Sequence, residues 1–309
     1  MTAPGAVPRR AGGEAPGGPR IPLSTRLLAG ATLAADRLAP PLAPPLATRL
    51  WFRTIRPPVT AEETAVLRRA ERRTVGHPLP GLAAYTWDGP GATVLLVHGW
   101  SSHAGQMTAF VPPLLERGFR VVAFDAPAHG RSPGRRTDIF EIRDALLGVA
   151  ERFGPPAGVV THSLGGLAFM AAAARERLAR AVVLVSPGLE LRALVDAFAG
   201  RIGLSERSAR ELEARVEALA GRALEEVRPH AMEARALVVH DRDDPDIPLA
   251  EGRRVAEALP DGRLLATEGL GHRRILRDPA VVEAAADFLE DALRSRREPM
   301  RRPLRLLDG

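Results

Sequence analysis

The chain contains no cysteine. Disulfides, thiolate metal sites and a cysteine nucleophile are thereby excluded, and the composition fits a reducing compartment, so a cytoplasmic location is expected. Lysine and asparagine are absent as well, so arginine carries all 43 basic charges, a pattern of GC-biased codon use and not of selection for phosphate contacts. No segment reaches the roughly 18 uninterrupted apolar residues of a membrane span. Arg9 and Arg10 are followed by a Gly/Pro-rich stretch and not by an apolar core, so no secretory signal is expected there. The formal net charge is +6, but it is confined to the ends. Residues 1–20 hold Arg9, Arg10 and Arg20 against Glu14, and residues 294–309 hold six arginines against Glu298 and Asp308, which leaves residues 21–293 neutral. Solvated termini are expected, and a nucleic-acid partner is not.

At 309 residues the chain is long enough to bury one large α/β core. Residues 1–20 read as a disordered basic lead and residues 21–79 as a helical arm. Within the arm, Leu23, Leu27, Leu28, Ala31, Leu33 and Leu38 suggest a helix, which Pro40, Pro41, Pro44 and Pro45 interrupt before Leu46 to Ile55 resume. The arm is expected to pack on the main domain, with an interfacial membrane helix as the alternative. From Leu82 the pattern becomes regular. Strand-like runs at 82–87, 93–97, 119–124, 158–161, 181–185, 236–239 and 263–266 alternate with helical segments at 104–117, 138–152, 167–174, 250–259 and 279–294. This alternation predicts an α/β domain over residues 80–293, a mostly parallel twisted sheet with helices on both faces, and then a basic tail at 294–309. Residues 188–232 are too long for an ordinary connection and predict a small helical cap. Leu191, Leu194, Val195, Phe198 and Ile202 fall on one face of its first helix, where they can line an acyl pocket or dock on the domain.

The chemistry centres on Val159-Val160-Thr161-His162-Ser163-Leu164-Gly165-Gly166. A strand, a sharp turn among small residues and a helix would present the Ser163 hydroxyl at the sheet edge. The pattern is Gly-x-Ser-x-Gly with Thr161 in place of the first glycine. A serine nucleophile needs a base, and the base needs an acid to orient it. His272, in the glycine-flexed loop after the last strand, is the predicted base. His77 and His230 lie beside prolines and read as loop residues, while His103 is either a pocket residue or a helix start. The acid is sought in His240-Asp241-Arg242-Asp243-Asp244-Pro245-Asp246-Ile247-Pro248, where spacing alone does not choose among four aspartates. The histidines are not spaced as a helical metal pair, and this acidic turn lacks the glycine and distal glutamate of a calcium loop, so no metal is expected.

Together, the Ser163 turn, His98-Gly99 after a buried strand, Asp125-x-x-x-His129-Gly130-x-Ser132, the His240 to Pro248 turn and Gly271-His272 resemble the α/β-hydrolase superfamily over roughly residues 80–292. The resemblance implies a Ser163–His272–Asp244 triad, with Asp243 the weaker candidate because Asp241 replaces the family's usual glycine. It further implies an oxyanion hole from the backbone N–H groups of Trp100 and Leu164, and a loop braced by His129 and Arg131. His98, His103, Leu191, Leu194 and Phe198 are the candidate pocket residues. The expected activity is a cofactor-free carboxylesterase acting on a small or medium apolar ester. A thioesterase, acyltransferase, haloperoxidase or lyase would use the same triad, and a non-catalytic ligand-binding protein is the alternative of another class.

Overall fold

β-Branched and leucine-rich pentapeptides bounded by turns have little choice but to lie side by side, and here they form the centre of one sheet. The structure, a computed structural model, describes residues 21, 23–76, 80–174, 177–188, 191–220 and 232–294, without the side chains of Leu191 and Ala220. The lead, residues 295–309 of the tail, cap residues 221–231, His77 and His230 therefore lie outside the described residues.

The chain begins with α1 (Leu23–Leu38), a 3-10 turn (Pro40–Leu42), α2 (Ala43–Trp51) and α3 (Ala61–Leu67). Strands β1 (Glu71–Val75), β2 (Leu82–Trp87) and β3 (Thr93–Val97) follow, then a 3-10 segment (Ala104–Phe110) that runs into α4 (Val111–Glu116). Next come β4 (Arg120–Phe124), α5 (Ile139–Phe153), β5 (Gly158–His162), α6 (Leu164–Ala173) and β6 (Ala181–Val185). Helices α7 (Leu191–Ile202) and α8 (Glu206–Ala220) precede β7 (Arg235–Asp241), α9 (Leu249–Ala258), β8 (Gly262–Thr267), α10 (Gly271–Arg274) and α11 (Pro279–Arg294).

The eight strands are ordered β1-β2-β4-β3-β5-β6-β7-β8. β2 pairs antiparallel with β1 and β4, and the remaining pairs are parallel. In register, Leu95 faces Val122 on one side and Val159 on the other, while Val183 faces Val160 and Leu237. Alternate residues feed two cores. Leu95, Val159, Val182 and Leu184 pack with α5, α6 and α9; Val94, Leu96, Val160 and Val183 pack with α4 and α11. Each fully buried leucine of this kind contributes about 2 kcal/mol of transfer free energy.

Two features of the N-terminal segment differ from its reading as a helical arm to residue 79. The segment Glu71–Val75 joins the sheet, and its first four residues are exposed. An edge strand built from Glu-Arg-Arg-Thr-Val has no apolar alternation to announce it, and its charges discourage pairing with another chain. The prolines interrupt the helix as expected, α1 ending before the Pro40–Leu42 turn, but the second pair lies inside the helix that resumes. Pro44 and Pro45 occupy the first turn of α2, where a missing N–H costs nothing. A capping box between Thr60 and Glu63 then opens α3.

Helices α2, α7 and α8 share a third, small core. Ala47 packs with Val195, Ala199, Leu212 and Val216, and the Trp51 and Phe198 rings meet edge to face at 5.2 Å. The arm and the helices between β6 and β7 thus cover the same side of the sheet.

Candidate active site

Helix packing forces the turn after β5. A Cβ at Gly165 would approach His98 O to 2.5 Å, so α6 can start against the end of β3 only with glycine there. Thr161, in place of the family glycine, is fully buried, and its hydroxyl lies 3.4 Å from Val183 O on the neighbouring strand β6. Ser163 then takes φ 51°, ψ −124°, and its N–H donates to Val185 O at 2.9 Å. A positive φ on a non-glycine residue costs about 1–3 kcal/mol. The described non-glycine residues with positive φ are Ser101, Ala128, Ser163 and Ser186, each in a turn beyond the carboxyl end of a strand from β3 to β6. Strain is concentrated at the edge where open α/β sheets carry their chemistry.

His272 sits at the start of α10, buried to 8% exposure, with its Nδ1 2.7 Å from Asp244 Oδ2. The Asp244 side chain is fully buried. Its Oδ1 accepts from the N–H groups of Asp246 and Ile247 at 2.8 and 2.9 Å. Burial pushes this carboxyl up, but the His272 hydrogen bond and charge, with the two N–H groups, outweigh it and hold the pKa below the usual carboxylate value. Asp243 is exposed and accepts from Gly269 N–H at 3.0 Å instead. His240 donates through Nε2 to Ile247 O at 2.9 Å and so closes the acidic turn from behind.

Asp241 supplies what sequence reasoning missed. Its buried carboxylate accepts from Thr267 Oγ1 at 2.7 Å and from the N–H groups of Gly271, Asp243 and Leu270 at 2.9, 3.0 and 3.1 Å. Three of these partners belong to the strand end and loop that lead into His272. His162, which precedes the serine, adds a second tether: its Nε2 donates to His272 O at 2.9 Å, and the two rings are 4.7 Å apart. Burial, and then the neighbouring His272, keep the His162 pKa well below the ordinary histidine value.

The turn after β3 is braced from below. His98 Nε2 accepts from Ala126 N–H and His129 Nε2 accepts from Ser101 N–H, both at 2.9 Å. Their Nδ1 atoms donate to Gly99 O and Pro127 O, which makes both rings neutral carriers of a proton on Nδ1. Burial lowers both, His129 to about 3. Asp125 collects the N–H groups of Ala104 and Arg131 and the Tyr85 hydroxyl at 2.8, 2.9 and 3.0 Å. A Cβ at Gly130 would strike this carboxylate, which explains the glycine. From the arm, Arg56 donates to the carbonyls of Ala128, Gly130, Ser132 and Gly134 at 2.6–3.2 Å.

A cavity of about 830 Å³ opens above the sheet edge. Ser163, His272, Trp100, Leu164, Leu194 and Phe198 all line it. His98 and His103 do not: each is only 2% exposed and lies under the cavity wall. His103 instead turns toward Glu63, 3.9 Å away. The Leu191 side chain lies outside the described residues. Thr25, Leu33, Trp51 and Phe52 add a wall from the arm. Among the described residues neither the Trp100 nor the Leu164 N–H meets a protein acceptor. No group of three His, Asp or Glu side chains among the described residues is placed to hold a metal ion.

A family model described as serine aminopeptidase, S33 (Hydrolase_4) matches residues 88–287. The chain is 29% identical over 247 residues to a pimeloyl-[acyl-carrier protein] methyl ester esterase of Chromobacterium violaceum, covering 65% of this chain and 96% of that protein. A protein of the same name from Methylococcus capsulatus is 41% identical over 86 residues, covering 28% of this chain and 32% of its own length. Among solved structures, the Pyrococcus furiosus esterase Pf2001 aligns with a TM-score of 0.62 at 19% identity, covering 77% of this chain and 98% of that one. The monoacylglycerol lipase of Paleococcus ferrophilus aligns with a TM-score of 0.55 at 24% identity, covering 68% and 99%. At such identities these structures speak for the fold alone.

Proposed function

The chain belongs to the Hydrolase_4 family of α/β hydrolases, and from that membership we propose that it is a serine esterase with Ser163 as nucleophile, His272 as base and Asp244 as the orienting acid. The observation that carries this reading is the 2.7 Å contact between Asp244 Oδ2 and His272 Nδ1, made beside a serine in a strained turn. Asp244 holds the ring with its proton on Nδ1, so Nε2 is free to take the hydroxyl proton as Ser163 Oγ attacks an ester carbonyl. The oxyanion of the tetrahedral intermediate accepts from Trp100 and Leu164 N–H, donors of a kind worth about 3 kcal/mol each. His272 then protonates the departing alcohol. Water, deprotonated by the same ring, releases the acid from the acyl-serine. No cofactor takes part in these steps.

The cavity is lined mainly by apolar side chains, including Leu33, Trp51, Leu194 and Phe198, and its size suits a small or medium acyl chain. The names of the relatives, methyl ester esterase and monoacylglycerol lipase, agree with a carboxylic ester of that class. The test is labelling by a fluorophosphonate probe, wild type beside Ser163→Ala, with the adduct located by mass spectrometry, followed by hydrolysis of p-nitrophenyl esters of increasing chain length. An adduct on Ser163 and turnover lost in the variant are expected. A folded wild type that neither labels nor hydrolyses any ester would refute the esterase.

A further inference from the structure

Helix α1 is amphipathic in the wrong sense for a helix whose outer face meets water. Its buried positions are Thr25 and Thr32, and Asp36 points to the cap, where it accepts from Ser205 N–H and Oγ at 2.8 Å. Its outer face carries Leu23, Leu27, Ala31, Ala34 and Leu38, at i, i+4, i+8, i+11 and i+15, all exposed. Leu23 is 69%, Leu27 65% and Leu38 86% exposed, and Leu42 in the following turn is 59% exposed. Of the seven large apolar residues exposed among the described residues, six, counting Ile21 and Val59, lie in this arm. Monomeric proteins seldom leave such a stripe uncovered without using it.

The charges around the stripe are mostly basic. Arg26 and Arg37 flank it, exposed. Residues 21–60 hold Arg26, Arg37, Arg49, Arg53 and Arg56 against Asp36 alone, and Asp36 is taken up by Ser205. The opposite face of the helix borders the cavity through Thr25, Ala29 and Leu33, and the exposed Ile21 and Leu219 stand among the cavity's lining residues. Among the described residues no helix is long and apolar enough to cross a membrane, and an apolar stripe edged by arginines is the pattern of a helix that lies along an interface.

We propose that the outer face of α1 docks this protein on a bilayer surface that carries anionic lipid, with the cavity mouth turned to the membrane. The leucines would enter the acyl boundary and the arginines would meet lipid phosphates. A lipid ester could then pass into the cavity without crossing bulk water. Only this last consequence rests on the esterase reading; the docking itself does not.

Flotation of the full chain with vesicles of equal parts phosphatidylcholine and phosphatidylglycerol tests it. Wild type and Ser163→Ala should float equally, and pure phosphatidylcholine should bind less. The Leu23→Glu/Leu27→Glu variant should lose affinity about a hundredfold or more. Neither leucine borders the cavity, so hydrolysis of a water-soluble short-chain ester should be unchanged and would report correct folding. Absence of flotation by an active wild type, or flotation unaffected by the substitutions, would overturn the proposal. So would a dimer that the same substitutions dissolve without any vesicle binding, since a second copy of the chain would then cover the stripe.

Discussion

Asp244 Oδ2 and His272 Nδ1 meet at 2.7 Å although 28 residues separate them. The contact is held from both sides. Backbone N–H groups of the acidic turn fix the carboxylate, while Asp241 and His162 fix the chain that carries the imidazole. Under the proposed mechanism, neither partner would need to reorganise as positive charge developed on the ring.

This geometry ranks the rival acids. Asp244→Asn should lower kcat/KM for a p-nitrophenyl ester by about 10³–10⁴-fold, as the amide favours the wrong tautomer of His272. Asp243→Asn, at an exposed site, should cost less than about tenfold. Greater damage from the Asp243 substitution would move the acid by one residue.

Asp241 is expected to act through position. Asp241→Ala would leave the N–H groups of Leu270 and Gly271 without their acceptor, and buried charged hydrogen bonds of this kind are worth about 1.5–3 kcal/mol each. A fall in kcat of about ten- to a hundredfold with KM nearly unchanged, together with a lower Tm, is the predicted result. Kinetics indistinguishable from wild type would mean that β8 alone holds the loop.

Arg56 lies before the segment matched by the family model, yet it grips four carbonyls of the loop whose His129 accepts from Ser101 N–H. A lysine has no planar fork to reproduce this. Arg56→Lys should therefore lower kcat about tenfold and destabilise by about 1–3 kcal/mol. Denaturant unfolding and ester turnover measured on the same preparation would check both.

Acid should unfold this protein early. Burial holds His98, His129, His162 and His240 below the ordinary histidine value of 6.5. Below 6.5 the unfolded chain takes up protons that the folded one refuses, so stability falls with pH until the folded value is reached, about 3 for His129. The lowered Asp244 and Asp241 carboxyls add stability that is present above 3.8 and lost below it. Melting at about pH 5 should occur roughly 5 °C or more below melting at about pH 7.5. A Tm unchanged between them would contradict neutral buried histidines.

Local chemistry made much of the fold legible in the sequence. Val159 to Gly166 spell a strand, a turn and a helix because β-branched residues, a serine and two glycines each have few backbone options, and Pro279 to Arg294 carry their own helical period. The same reasoning narrowed the acid to four aspartates and stopped there. Which of them faces His272, that Asp241 caps the loop, and that Arg56 reaches the loop 74 residues ahead through Gly130 are matters of pairing across the chain. Such pairs leave no period or spacing behind, because hydrogen-bond partners are chosen by the packing of strands and not by neighbours in sequence. The edge strand β1 was hidden for a related reason, its charged residues carrying no burial signal until β2 stood beside them. Residue types and short-range geometry determined the strands, the elbow and the candidate chemistry; only the assembled sheet, with the arm packed against it, decided which atoms meet and which leucines remain facing outward.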